Sequence, residues 1–288
     1  MDFDWPSLGS VPPTTLVAAR NLAHHAAQWP ARAARANLEA VADDSHTCLA
    51  WDAAHGALLS QPLPAGGGVV RLGLRVASAE LVVVRKNAVL DAFSLHGRRK
   101  SMVDVWFDSA LRALGLKSAS QHELPYTTPH VLVAKGGTYM CGENAAQLDE
   151  FARWFAAGAD LLGEFGAGFA ARHPGIAPGP GAVRCWPHHF DLATLVRLDE
   201  GTSKSARSIG IGISPGDESC QQPYLYVSPW PHLKPVDLPA LPPPGHWHTQ
   251  GYVAAVATGE EILALADRGP ELLAFVDTAF ELGRARMP

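Results

Sequence analysis

Between Val69 and Val76 the chain alternates, with Val70, Leu72, Leu74 and Val76 apolar and Arg71, Gly73 and Arg75 between them. That two-residue period predicts a strand with one buried face. Leu81 to Arg85 reads as a second strand, and Ala65-Gly-Gly-Gly68 as a flexible hairpin connection. Upstream, Leu16 to Gln28 reads as a helix capped by Thr14 or Thr15, interrupted at Pro30 and resumed from Ala31 to Ala42. Downstream, Val103, Trp106, Phe107, Ala110, Leu111 and Leu114 make a broad apolar stripe on one helix, with Ser101 as its cap and Gly115 as its end. Trp106 and Phe107 are expected to pack on the first sheet.

The second half repeats this order. Ala145 to His173 carries Leu148, Phe151, Ala152, Phe155, Ala159, Leu162 and Phe165 at helical spacing. Cys185-Trp186 and Asp191 to Leu198 follow, echoing Cys48 to Asp52. Strand runs come at Ser208 to Ser214, Tyr224 to Val227 and from His246 through Val253. A last helix holds Phe275, which is expected to pack on the second sheet. Repeats of this kind limit the topologies to consider. The expected fold class is therefore α+β and internally duplicated, with two similar lobes, each an antiparallel sheet with helices packed on one face. The lobes are expected at 14–116 and 145–285, with 117–144 as a connection containing one short strand around His130 to Ala134. Superposed, they should bring Trp51 near Trp186 and Asp108 near Asp277.

Composition narrows the function classes. Apolar residues are 47% and charged ones 18% of 288, enough for a packed interior. A net charge of −5 argues against nonspecific nucleic-acid binding. The exception is the stretch from Val69 to Lys100, where seven basic residues face two acidic ones. Such a run reads first as a solvated strand face. Cys48, Cys141, Cys185 and Cys220 form no Cys-x-x-Cys pair, so neither a zinc ribbon nor a disulfide framework is expected. The start, Met1 to Pro6, has neither the basic region nor the apolar stretch of a secretory signal, and no run approaches the ~20 apolar residues of a membrane span. These features suggest a soluble, reduced, cytoplasmic protein, with an oligomer possible.

Trp186-Pro-His-His-Phe-Asp-Leu-Ala193, Ile209 to Asp217 and Gln222 to Pro231 resemble a bacterial family catalogued only as a domain of unknown function. The shared features are an aromatic followed by Phe-Asp-Leu-Ala, a Pro-Gly turn, and a Pro/Tyr-rich strand ending in proline. His188-His189 and Ser214-Pro215 depart from that pattern. The resemblance implies no activity.

Candidate chemistry lies mostly in the second half. Tyr224, Tyr226, Ser228 and Trp230 share one strand face, as do His246, His248, Gln250 and Tyr252. Aromatic and imidazole side chains on strand faces suit a small-molecule pocket, with Tyr224, Tyr226, Trp230, His246, His248 and Tyr252 as its expected lining. The alternative is a metal-dependent enzyme, with a divalent cation held by His189, Asp191, His246 and His248. A third reading, an interaction scaffold, expects the aromatic face to be flat and to contribute to an oligomer contact. Gly210 and Gly212 leave a strand face bare, open to a helix or a ligand. Ser214-Pro-Gly-Asp217 suits a type II turn, at which Asp217 or Glu218 could serve as a general base. No Gly-x-Ser-x-Gly elbow or phosphate loop occurs. Cys185 reads as a buried structural thiol, and His24 and His25, about 100° apart on a helix, do not act together.

Overall fold

The computed structural model describes residues 8–129, 131–200 and 206–287, and it is α+β with antiparallel strand pairing throughout its named strands. The chain divides into two compact units. The first comprises residues 15–152 and 184–190; the second comprises 1–14, 153–183 and 191–288. The segment 117–144 belongs wholly to the first unit, together with the residues up to Ala152 and the short segment 184–190.

The first unit opens with α1 (Val17–Asn37), followed by β1 (Leu49–Asp52), β2 (Ala57–Ser60), β3 (Leu63–Ala65), β4 (Gly68–Arg75), β5 (Glu80–Arg85) and β6 (Ala88–Ser94). These strands form the meander β1-β2-β4-β5-β6, with β3 on the side of β4. β7 (Arg184–Trp186) pairs with β1 at Leu49↔Cys185. The alternation in β4 does its expected work: Val70, Leu72, Leu74 and, just beyond the strand, Val76 are buried. Leu74 and Val76 face Ala23 and Ala26 of α1 across a small apolar crevice. Pro30 does not break α1, which runs through it as one helix. Proline deprives the Ala26 carbonyl of its donor, but the surrounding Ala26, Ala27, Trp29, Ala33 and Ala34 are buried, and their packing holds the helix.

α2 (Lys100–Ala113) buries Val103, Phe107 and Leu111. Its N-cap is Arg99, not Ser101, which lies inside the helix without capping it. Gly115 ends it at φ +73°. Leu116 N–H then reaches back to Leu111 O at 2.9 Å, the long bond of a glycine-terminated helix. Trp106 packs less deeply than expected: it stacks on Phe93 of β6 with ring centroids 5.0 Å apart and donates to Asp91. After α2, Asp108 accepts from Ala119 N–H, Ser120 N–H and the Ser120 hydroxyl, which fixes the loop. The short strand expected around His130 to Ala134 is instead a 3-10 turn at Leu132–Lys135, and His130 lies outside the described residues.

The long α3 (Ala145–Arg172) passes into the second unit after Ala152. There follow β8 (Asp191–Arg197), β9 (Ser208–Ser214), β10 (Tyr224–Trp230), β11 (His246–His248), β12 (Ala254–Thr258), α4 (Gly259–Leu263) and α5 (Arg268–Arg286). The strand order within this unit is β8-β9-β10-β12-β11. Ile209, Ile211, Ile213, Leu225 and Val227 are buried on the face that meets α3 and α5. Close approach there depends on missing side chains. A Cβ on Gly158 would come within 2.4 Å of Ile213, and one on Gly245 within 2.0 Å of Phe275. Phe275 is fully buried, as expected. Asp277 takes a different part from Asp108: its carboxylate pairs with Arg172 Nε at 2.7 Å and with His173 Nε2 at 2.9 Å.

The strand expected from His246 through Val253 is a three-residue strand followed by a turn. β11 stops at His248, Gly251 turns the chain at φ +82°, and β12 begins at Ala254. Gln250 and Tyr252 therefore lie in the turn and not on the strand face with His246.

Candidate functional site

Opposite its helix-covered side, the second unit's sheet carries the aromatic set. Register runs His246↔Val256↔Tyr226↔Gly212↔Ala193 across five strands. By alternation along each strand, Asp191, Gly210, Tyr224, Ser228, Trp230 and His248 project to this same side.

Its core is a pair of tyrosines. Tyr226 lies across Gly212, where a Cβ would come within 2.6 Å of its hydroxyl. The hydroxyl thus passes over β9 and donates to Asp191 on β8. The bare glycine face is filled by the protein's own tyrosine, in place of the helix or ligand that the glycines suggested. Tyr224 donates to Asp217 in the same manner. Burial, followed by the carboxylate beside each hydroxyl, pushes both phenols well above their ordinary value. Tyr224, Ala254 and Val256 form a small buried cluster, with Tyr226, Tyr252 and Cys220 packed against it.

Asp217 is a fully engaged turn residue. It accepts from Ser219 N–H at 2.7 Å, the Ser219 hydroxyl at 2.6 Å and Cys220 N–H at 3.0 Å, besides Tyr224. Burial alone would raise its carboxyl, yet these bonds together hold it below the usual range. It is thereby a weak base, and its role is to fix the turn, where Gly216 supplies φ +100°.

The outer part of the face is more open. Trp230 is 46% exposed and Leu195 41%, with Gly210 and Ser228 in register with Leu195. From Trp230 a chain of rings runs through His232 at 5.0 Å and Tyr252 at 5.6 Å to His248 at 4.7 Å. Tyr252 reaches His248 because the Gly251 turn folds it back.

The four expected metal ligands do not assemble. β11 and β8 are four strand spacings apart in the second unit's sheet, about 19 Å at ~4.8 Å each, so His246 and His248 cannot share an ion with Asp191. His246 Nδ1 instead sits 3.2 Å from Glu261, and His248 Nε2 2.8 Å from Gln250 O. His189 lies in the first unit. Among the described residues no group of three or more His, Cys, Asp or Glu side chains could hold a metal ion.

The first unit contains a polar cluster that sequence reasoning passed over. His24 and His25 do diverge, but both are buried. His24 Nε2 contacts Pro187 O at 2.8 Å while its ring stacks on Phe190 at 4.9 Å. His25 Nδ1 bonds the Tyr139 hydroxyl at 2.6 Å. Burial lowers both imidazoles to about 4, so each is neutral near pH 7. Gln28 donates to His24 O and Pro187 O and accepts from the Tyr126 hydroxyl. His188, half-buried, lies 5.7 Å from the Tyr126 ring and 5.9 Å from Trp186. Burial, then neighbouring His189, lowers it to about 4. A readable signal existed: His24, Gln28, Arg32 and Arg35 recur at four- and three-residue spacing on an otherwise alanine-rich helix.

All four cysteines are free thiols, and no described helix is long and apolar enough to cross a membrane. No family model matches the chain, and no curated protein or solved structure matches it either.

Proposed function

We propose that the protein binds a small molecule on the aromatic face of its second unit. The observation that carries this reading is the partly exposed Trp230 at the head of the ring chain through His232, Tyr252 and His248, beside Gly210 and Ser228. An exposed indole offers a flat apolar surface, while imidazoles and a serine hydroxyl supply hydrogen bonds at its margin. The ligand class is a ring-bearing polar compound held by stacking. Tyr224 and Tyr226 act as the rigid backing, since their hydroxyls are already engaged by Asp217 and Asp191. His246 stands apart, beside Glu261.

The test is a ligand-observed NMR screen of aromatic and carbohydrate fragments against the wild type and a Trp230→Ala variant. Binders lost in the variant while its melting temperature is kept support the site. A screen without such binders refutes it.

We also infer that the two units are repeats of one ancestral element, of the bacterial family that the second half resembles. In each, a helix precedes an antiparallel sheet and another helix follows it: α1, β1-β2-β4-β5-β6 and α2 against α3, β8-β9-β10-β12-β11 and α5, the last two strands of the second sheet being in exchanged order. Free thiols throughout fit a reducing, cytoplasmic setting.

A further inference from the structure

The arginines of α1 point to a second site, in the first unit. Arg32 and Arg35 continue the stripe begun by Gln28. Arg32 Nε donates to His122 O at 3.0 Å, but its Nη1 is buried without a hydrogen-bond partner. Arg35 Nη2 is 3.2 Å from Asp44 Oδ2, an ion pair lacking hydrogen-bond alignment, and its Nε is also buried and unpartnered. His46 Nε2, on a buried ring that feels the Arg35 charge, lacks a partner as well. Gln28, one turn before Arg32 on this stripe, accepts from the Tyr126 hydroxyl at 2.8 Å, and the charges of both arginines reach that hydroxyl. His188 has no hydrogen-bond partner among the described residues, and its ring neighbours those of Tyr126 and Trp186. The opposing charges are Asp44 beside Arg35 and Asp104 near Arg32, the latter tied to Lys100 at 2.7 Å.

Buried guanidinium N–H groups left unmade are unfavourable. The acceptor that matches their planar fork is a carboxylate, which can take two parallel bonds. The flat rings of Trp186, Tyr126 and His188 suit an apolar, planar group attached to it. We propose that Arg32, Arg35, Tyr126, Trp186 and His188 form a binding site for a small aromatic carboxylate. The carboxylate pairs with Arg35 and Arg32, while the ring packs against Trp186 and His188. This site is independent of the Trp230 face.

Isothermal titration calorimetry with benzoate tests it, with benzyl alcohol as the uncharged comparison. The expected result is that wild type binds benzoate and not benzyl alcohol. Arg35→Gln then weakens benzoate binding by roughly tenfold, about one lost charge-assisted pair. Should Arg35→Gln fail to fold by circular dichroism, Arg35→Lys keeps the charge beside Asp44 but loses the fork, and a similar loss is expected. His188→Ala should also weaken benzoate while leaving the fold intact. No benzoate binding, equal binding of benzyl alcohol, or full binding by the folded Arg35 variant would each overturn the proposal.

Discussion

The Tyr226 hydroxyl reaches the Asp191 carboxylate across an intervening strand, a path that exists only because residue 212 has no side chain. Three strands are locked by one hydrogen bond and one glycine. A Cβ at 212 would also come within 2.6 Å of Leu192 O, a backbone atom that cannot swing aside. Gly212→Ala should therefore destabilise the protein by about 1–3 kcal/mol, read as a lower urea midpoint. An unchanged midpoint would mean that Tyr226 does not lie over β9.

Tyr226→Phe keeps the ring and removes the donor. It should lower stability by roughly 1–3 kcal/mol, the usual effect of withdrawing one partner from a buried polar pair. Gly212→Ala combined with Tyr226→Phe should be less than additive, because both act on one contact. Urea melts of the two single variants and the double variant measure the difference.

The neutral histidines of α1 make stability fall in acid. His24 and His25 titrate at about 4 in the folded protein and near 6.5 once unfolded. Between those values the unfolded chain binds more protons, so unfolding is favoured progressively as pH drops from 6.5 to 4. Above 6.5 the two contribute no slope, and below 4 the effect saturates, at on the order of 3 kcal/mol for each histidine. Chemical denaturation at pH 7, 5.5 and 4.5 should show this decline, and His24→Gln should flatten it. An equal slope in that variant would assign the acid sensitivity elsewhere.

The end of α3 is held to α5 by His173, whose two ring nitrogens meet Glu281 at 2.6 Å and Asp277 at 2.9 Å within a cage of Phe165, Phe169 and Phe280. Arg172 shares Asp277. Burial works against the Glu281 carboxylate, but bonds from Arg284 and His173 outweigh it and hold the group below its ordinary value. Asp277→Ala should destabilise by about 1.5–3 kcal/mol, the range for a hydrogen bond to a charged group. Hydrogen exchange should quicken at the C-terminal turn of α3, and unaltered protection there would argue against this clamp.

What could be read from the chain was local. The alternation of β4, the Gly115 helix end, the buried Phe275 and the shared face of Tyr224, Tyr226, Ser228 and Trp230 all follow from periods of 2 and 3.6 and from backbone preferences. Even the errors were local rules overruled by packing. Pro30 would stop an exposed helix, but α1 is buried along its length there. The strand read through Val253 stops at His248 because Gly251 could take a positive φ and turn the chain.

Distances between strands were not legible. His246, His248 and Asp191 face the same side, as their phase required, yet strand order sets them four strands apart, and order depends on how the whole sheet closes its core. Tyr226 meeting Asp191 over Gly212, and Gln28 meeting Tyr126 and Pro187, join residues far apart in the chain. Sequence alone determined where helix stripes and strand faces run, because those periods are properties of the backbone. Only the tertiary structure decided which polar groups share a neighbourhood, because burial and hydrogen-bond satisfaction are settled by long-range packing.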